Sequence, residues 1–133
     1  MKSFQIEIVT PDGRIYDGPV ESLLVRTDDG DVEILAGHTD LLAAIDVGRV
    51  RLRIDGKNRF GSANGGFLSV VSGKVRLCTI TFEFADEIDV KRAEVAKEKA
   101  EAALKSANDD RDERVAKAKI ARAASRIKVA SMK

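Results

Sequence analysis

The chain has 133 residues, with 23 basic and 22 acidic side chains and a formal net charge of +1. A near-neutral total excludes a general electrostatic attraction to nucleic acid, and this length suits one domain or one domain with an appendage. The single cysteine, Cys78, excludes an internal disulfide and favours a buried, inert thiol in a reducing compartment.

The first half of the chain reads as short strands joined by turns. Phe4 to Val9 alternates apolar and polar residues, and a Pro-Asp-Gly turn follows it. Further strands are predicted at Ile15–Tyr16, Val20–Arg26 and Val32–Leu35, with an acidic hairpin tip over residues 28–31. Residues 36–40 are expected to form a loop.

The strand pattern continues to Phe84. After the apolar stretch 41–45, residues 49–54 alternate strictly, which places Val50, Leu52 and Ile54 inward and three arginines outward. Asp55-Gly56 is a strong hairpin signal, and residues 61–66 read as glycine-rich turn chemistry. Segments 67–71 and 75–84 complete the set. Many short strands with glycine-rich turns predict a β-sandwich or flattened barrel over residues 1–85.

The composition then changes abruptly. All ten glycines and both prolines lie at or before Gly73, and Phe84 is the last aromatic residue. Residues 86–133 are therefore predicted to be helical, with Asp86 and Asp110 as caps, each facing an acid three residues on. Polar residues 106–110 separate two helices. Their predicted apolar stripes are Ala93, Ala96, Ala100, Ala103 and Ala107 in the first, and Ala116, Ile120, Ala123, Ile127 and Ala130 in the second.

The helical half is expected to dock only weakly on the strands. A buried methylene contributes about 0.8 kcal/mol, whereas ordering one residue costs about 1–2 kcal/mol. Most stripe residues are alanines, and isolated helices of this length are marginal. From Arg114 to the last residue, the tail contains seven basic residues and no acidic residue. Such a helix would bind acidic protein, phosphate or anionic lipid.

Several residues that could suggest a catalytic or ligand-binding site are better explained by a structural role. His38 is the only histidine and lacks the companions that a metal site or a catalytic triad requires. The segment 61–66 lacks the Lys-Ser/Thr of a phosphate-binding loop. The acidic tip 28–31 lacks the ligand spacing of a calcium loop and is expected to be solvated. No catalytic or metal-binding residue is therefore predicted.

A basic cluster on the two helices is the better candidate. Arg122 and Arg126 are four residues apart and share a face, while Arg92 and Lys99 share a face of the first helix. Four cations meeting between two helices are unfavourable unless an anion joins them, and guanidinium groups match phosphate oxygens well. Either a polyphosphate site or a solvated basic face is consistent with this spacing.

Ordered segments along the whole chain resemble the epsilon-subunit family of bacterial F-type, rotary ATP synthases. The resemblance is carried by Ile8-Val9-Thr10-Pro11-Asp12-Gly13, by residues 30–42, by Gly65-Gly66-Phe67-Leu68-Ser69-Val70 and by Ile88-Asp89-Val90-Lys91-Arg92-Ala93. The family usually has Gly, Pro and Pro where this chain has Glu33, Ala36 and Asp40.

The resemblance implies a sandwich of about ten strands over 1–85 and a regulatory, mobile helical hairpin over 86–133. Such subunits lie at the foot of the central stalk, between the gamma subunit and the ring of c subunits. By position, Asp28, Asp29, Gly30 and Asp31 resemble the ring contact, and Gly37, His38 and Leu42 resemble part of the gamma-facing surface. The resemblance also implies that the tail, when extended, would block ATP hydrolysis in the alpha/beta hexamer, where its basic helix would suit an acidic segment of beta.

Residues 88–93 also resemble the I/L-D-x-x-R-A motif of family members that bind ATP on the folded tail. The motif implies a nucleotide site made of Glu83, Ile88, Asp89, Arg92, Ala93, Lys99, Arg122 and Arg126. Lys99 replaces an arginine and loses its bidentate geometry. ATP would be a regulatory ligand rather than a substrate, and no cofactor would be required.

Two other classes of function have less support in the sequence. An interaction module unrelated to rotary ATPases would use the basic helix on nucleic acid or membrane. The tail lacks aromatics for stacking, however, and its alanine-rich stripes lack the Trp, Phe and Leu that favour insertion. An enzyme has the least support. With no signal peptide and no apolar run of about 20 residues, the protein is expected to be soluble or peripheral. The resemblance implies a peripheral location on the cytoplasmic face of the bacterial membrane. The coupling ion, proton or sodium, depends on other subunits.

Overall fold

A computed structural model describes residues 2–132 of the chain. This part forms seven strands, a short 3-10 turn and two helices. The strands are β1 (Phe4–Thr10), β2 (Gly13–Val20), β3 (Ser22–Thr27), β4 (Gly30–Leu35), β5 (Leu41–Ile54), β6 (Lys57–Val71) and β7 (Lys74–Phe84). The 3-10 turn covers Ala85–Glu87, and the helices are α1 (Val90–Lys105) and α2 (Asp110–Ala130).

The strands form one sheet that folds into a sandwich. Its order is β2-β1-β7-β6-β5-β3-β4, and each neighbouring pair is antiparallel except β1 with β7. The β5–β6 ladder is interrupted after Ala44 pairs with Phe67 and resumes where Gly48 pairs with Ala63. The register is unchanged across this gap, but against β3 four residues of β5, 46–49, lie opposite the single Arg26, since Val25 pairs with Val50 and Thr27 with Ile45. Extra residues in one strand bend a sheet locally, so β5 can contribute to both layers.

The sandwich was correctly predicted, but its strands are fewer than the ten expected. The long strands β5 and β6 each join two segments that the sequence suggested as separate. The glycine-rich segment 61–66 was wrongly interpreted as a turn, since it lies inside β6. Gly66 has φ +112° there, and a Cβ at this position would lie 1.9 Å from the Cys78 carbonyl oxygen. Glycine therefore permits close backbone approach rather than a chain reversal.

One apolar core lies between the layers. Val50 and Leu52 are buried in it as predicted, and Ile54 packs against it while partly exposed. The remaining buried members are Ile6, Ile8, Val20, Leu23, Val25, Ile34, Ile45, Ala63, Leu68, Val70, Val75, Leu77, Phe82 and Phe84. All of them come from strands, so the sandwich core is built without the tail among the described residues.

The helix starts differ from the predicted ones by a few residues. Asp89, not Asp86, caps α1, and its side chain accepts a hydrogen bond from the Arg92 amide at 3.1 Å. Asp109, not Asp110, caps α2 and accepts from the Asp112 amide at 2.8 Å. Asp86 lies in the 3-10 turn that separates β7 from α1.

The two helices pack against each other, and α2 is the one that lies on the sandwich, contacting β5, β6 and the 3-10 turn. Ala116, Ala123 and Ala130 of the predicted α2 stripe are buried, with Ile120 and Ile127 partly so. The α1 stripe was partly wrong. Ala93 and Ala100 are buried, but Ala96 and Ala103 are exposed, and Lys97 and Leu104 are half-buried instead.

A small apolar cluster joins the tail to the sandwich. It consists of Ala85, Ile88, Val129 and Ala130, with Phe60 and Val90 packed against it. In the part of the chain that the structure describes, neither helix combines the length and the apolar character needed to span a membrane.

Candidate functional site

The face of the sandwich beneath α2 carries three polar residues side by side. Arg49 of β5 pairs with Ser62 of β6, and Ser62 pairs with Glu83 of β7. We call these three residues the docking row, because α2 lies across them. The hydroxyls of Ser62 and Ser125 are 3.4 Å apart, so a hydrogen bond links sheet to helix at the centre of the row.

The strongest polar contact between helix and sheet is an ion pair. Nε of Arg126 lies 2.8 Å from Oε1 of Glu83, with 25% and 35% of the two side chains exposed. Nε itself is buried and has no hydrogen-bond partner among the described residues. The contact is therefore electrostatic, and the guanidinium keeps donor capacity for a further acceptor.

A cavity of about 400 Å³ lies beside this ion pair, and we call it the arginine cavity. Arg92 of α1 and Arg122 and Arg126 of α2 line it, together with Glu83. The rest of its wall comes from the sandwich: Thr10, Asp12, Ile15, Val47, Ser62, Ala63, Asn64, Thr81 and Phe82. Its volume is within the usual range for small-ligand sites.

The local sequence explains how the three guanidinium groups meet. Arg122 and Arg126 share one face of α2 because they are one turn apart. Arg92 lies in the first turn of α1, which the Asp89 cap fixes in place. Three cations face two carboxylates, Glu83 and Asp12, so the cavity has an excess of positive charge. Such an arrangement suits a phosphate-bearing anion.

The structure does not bring all the predicted nucleotide-site residues to this cavity. Ile88 is only 7% exposed and belongs to the apolar cluster at the base of the tail. Asp89 caps α1, and Ala93 is fully buried in that helix. Lys99 is exposed and does not line the cavity. The predicted convergence of four cations is thus a convergence of three.

Several residues of the cavity wall were missed at the sequence level. Ser62, Asn64 and Thr81 reach the cavity through strand pairing, since Asn64 pairs with Thr81 and Ser62 with Glu83. Asp12 comes from the turn between β1 and β2. Polar and apolar residues alternate around Glu83, which indicates that its side chain points away from the core. No local sequence pattern indicates which residues it meets there.

The acidic tip was predicted correctly as a hairpin turn. The Asp28 amide donates to the Ala44 carbonyl at 3.1 Å, and the Asp29 amide donates to the Thr27 hydroxyl at 3.1 Å. Gly30 has φ +114°, a region that favours glycine, and Asp31 lies 3.4 Å from Arg26. In residues 2–132 no group of three or more His, Cys, Asp or Glu side chains is placed to hold a metal ion.

Leu42 belongs to an exposed apolar surface on the strands. It is 74% exposed, Phe67 is 45% exposed and Ile80 is 59% exposed, while Ala44 pairs directly with Phe67. We call Leu42, Ala44, Phe67 and Ile80 the outer apolar face. Contiguous exposed apolar surface of this kind is typical of protein interaction sites.

Cys78, which lies near this face, is less buried than predicted. Cys78 pairs with Phe67 and is partly exposed rather than buried. Its burial is still sufficient to raise the pKa of the thiol, against the opposing influence of Arg76. Gly37, with φ +81°, and His38 lie in the loop before β5, where His38 Nδ1 donates to the Thr39 carbonyl at 2.7 Å.

Both halves of the chain match domains of the same protein family. Residues 3–85 match the beta-sandwich domain of the ATP synthase delta/epsilon chain, and residues 86–131 match its long alpha-helix domain. The ATP synthase epsilon chain of Bacillus velezensis is 41% identical over 98% of each chain. That of Staphylococcus saprophyticus is 37% identical over 99% of each chain.

Solved structures share the fold at lower identity. A chain of the Euglena gracilis mitochondrial ATP synthase superimposes with a TM-score of 0.82 at 23% identity, covering 98% of this chain and 82% of that one. A chain from the central stalk and c-ring of the Tetrahymena thermophila enzyme gives a TM-score of 0.64 at 13% identity, with 98% and 96% covered.

Proposed function

The chain belongs to the ATP synthase delta/epsilon chain family, and from this premise we propose that it regulates the central stalk of an F-type ATP synthase. It is the non-catalytic epsilon subunit of that complex. In our proposal its sandwich holds the rotor, its extended tail inhibits ATP hydrolysis, and ATP bound to the docked tail opposes inhibition. Family membership sets aside the alternative of an interaction module unrelated to rotary ATPases.

The arginine cavity is the observation that carries the ATP-sensing part of this proposal. Arg92 comes from α1, Arg122 and Arg126 come from α2, and Glu83 comes from the sandwich. A triphosphate bound there would contact both helices and the sheet at once. An extended tail would separate these groups, so ATP would bind the docked state better and shift the population toward it.

We assign the phosphates to Arg92, Arg122 and Arg126. Arg126 would exchange its Glu83 partner for a phosphate oxygen, which releases Glu83 to frame the base. Ile88, Asp89 and Ala93 would act from behind the cavity, by fixing the start of α1. Lys99 is outside the cavity wall, so we expect its replacement to change affinity least.

We propose a partner for each exposed surface of the sandwich and for the basic end of α2. The outer apolar face lies on strands adjacent to the loop with Gly37 and His38, and we propose that both belong to the surface that binds the gamma subunit. The acidic tip, residues 28–31, is the proposed contact with the c-ring. The basic end of α2 is proposed to bind an acidic segment of the beta subunits. The subunit would then work peripherally, on the cytoplasmic face of the bacterial membrane.

Calorimetry of the isolated protein tests the ATP site. We expect saturable heat with ATP, and we expect Arg122→Ala combined with Arg126→Ala to weaken binding by about 100-fold, because two charge-assisted contacts are lost. The matched control is Arg114→Ala combined with Lys119→Ala, which removes two exposed charges from the same helix outside the cavity. Absence of heat at millimolar ATP would refute the sensor.

A further inference from the structure

A second cleft lies between α2 and the sandwich, with a volume of about 450 Å³. Arg26, Arg49 and Lys128 line it, together with Asp31 and Ser125. Ser62 lines the arginine cavity and Ser125 lines the second cleft, so the hydrogen bond between their hydroxyls lies at the boundary of the two. The function proposed above assigns no ligand to this cleft, although Asp31 belongs to the acidic tip and Lys128 to the basic end of α2.

The charges in the second cleft are unbalanced. It contains three cations and one carboxylate, and that carboxylate, Asp31, already lies 3.4 Å from Arg26. Among the described residues, Arg49 and Lys128 form no ion pair, although Arg126 on the same helix has Glu83 as its partner. Two like charges from different elements therefore border one concavity without a counter-ion of their own.

The docking row shows why this arrangement is unusual. At its β7 end the sheet offers a carboxylate, Glu83, to a cation of α2. At its β5 end the row has a cation, Arg49, and the part of α2 above it also carries a cation, Lys128. Like charges repel, so the second contact weakens docking unless an anion lies between the two groups.

The backbone of β5 shapes the floor of the cleft. The β3–β5 register shifts between Val25 and Thr27, where Arg26 faces the bend in β5. A Cβ at Gly48 would lie 3.0 Å from Cβ of Arg26, so the glycine lets the arginine stem lie close against the strand. A larger residue at this position would require the Arg26 stem to shift by a few tenths of an ångström.

We propose that the second cleft binds a phosphate-class dianion between Arg49 and Lys128, with Arg26 and the Ser125 hydroxyl as further donors. Guanidinium, ammonium and hydroxyl groups together match the acceptor oxygens of phosphate. The bound anion would tie the end of α2 to β3 and β5, and it would therefore stabilise the docked tail. The cation sets of the two sites do not overlap, so this site is independent of the ATP proposal.

Titration of the full-length protein with inorganic phosphate, followed by amide NMR at constant ionic strength, tests this site. We expect saturable shifts at Gly48, Arg49, Ser125 and Lys128 that chloride does not reproduce. Arg49→Gln combined with Lys128→Gln should raise the apparent dissociation constant at least tenfold, and Lys128→Gln alone should raise it less. Hydrogen exchange at the end of α2 should slow with phosphate in the parent protein and not in the double glutamine variant at the same phosphate concentration.

Variants of the first site provide the control. Arg92→Ala combined with Arg122→Ala keeps the Arg126–Glu83 contact in place and should leave the phosphate response of the second cleft intact. An ATP titration of that variant identifies the source of the anion, since shifts at the same amides would assign the cleft to a nucleotide phosphoryl group. If neither phosphate nor ATP gives saturable shifts, or if the glutamine variants respond like the parent, the second site does not exist.

Discussion

Single residues of the sandwich show how this chain accommodates its departures from the pattern of the family it resembles. Glu33 forms an ion pair with Arg51 at 2.8 Å. Asp40 accepts a hydrogen bond from the Ser72 amide at 2.9 Å and so supports the turn between β6 and β7. Each acidic residue thus has a specific partner in the fold. The sequence alone could not indicate these partners, since each lies many residues away.

Gly66 is the glycine at which the fold can least accept an added side chain. We expect Gly66→Ala to destabilise the protein by about 3 kcal/mol or more, because its Cβ would overlap a backbone carbonyl at a positive φ. Gly73→Ala is the control, since Gly73 also has a positive φ but no atom within 4 Å of the added Cβ. That change should cost about 1 kcal/mol. Urea denaturation measures both, and equal losses would contradict the close approach.

The helical elements depend on alanine contacts with little apolar area. Ala93 and Ala100 are the buried residues of α1, while α2 also contacts the sandwich. Buried methyl groups contribute little each, so the packing of α1 depends on close approach rather than on buried area. The contact between the helices is therefore sensitive to volume, and α1 is the element that we expect to separate first.

Ala100→Leu tests this packing. The larger side chain should overpack the contact between the helices and destabilise α1 by about 1–3 kcal/mol. Ala103→Leu is the matched control, because Ala103 is exposed on the same helix and leucine has nearly the helix propensity of alanine. Amide hydrogen exchange in α1 is the measurement. Similar exchange rates in the two variants would show that Ala100 is not in a tight contact.

At the scale of the whole molecule, the chain has one large core and one small cluster. The large core draws on strands alone, and the small cluster joins Ile88 and Val129 of the tail to Ala85. The polar contacts across the docking row add one ion pair and one hydrogen bond between α2 and the sheet. This distribution suits a tail that can leave while the sandwich persists.

Truncation after Asp86 tests that division. We expect the shortened chain to fold cooperatively, since the strand core is complete, and to retain assembly with the gamma subunit. The isolated tail should show little helix, because single helices of this length are marginal in water. Circular dichroism of both fragments measures this. In the reassembled complex, ATP hydrolysis should rise relative to the full-length chain, and an unchanged rate would count against inhibition by the tail.

The sequence was enough to predict the change of structure after Phe84, the Asp55-Gly56 hairpin and the inward residues of β5, because each follows from a local pattern of composition, turn chemistry or alternation. It also placed Arg122 and Arg126 on one helix face. The tertiary structure alone decided which groups join them. Ser62 meets Ser125 across 63 positions of sequence, and Lys99 stays outside the cavity. Helical spacing fixes which side chains share a face, but only the packing of two helices on a bent sheet fixes what that face meets.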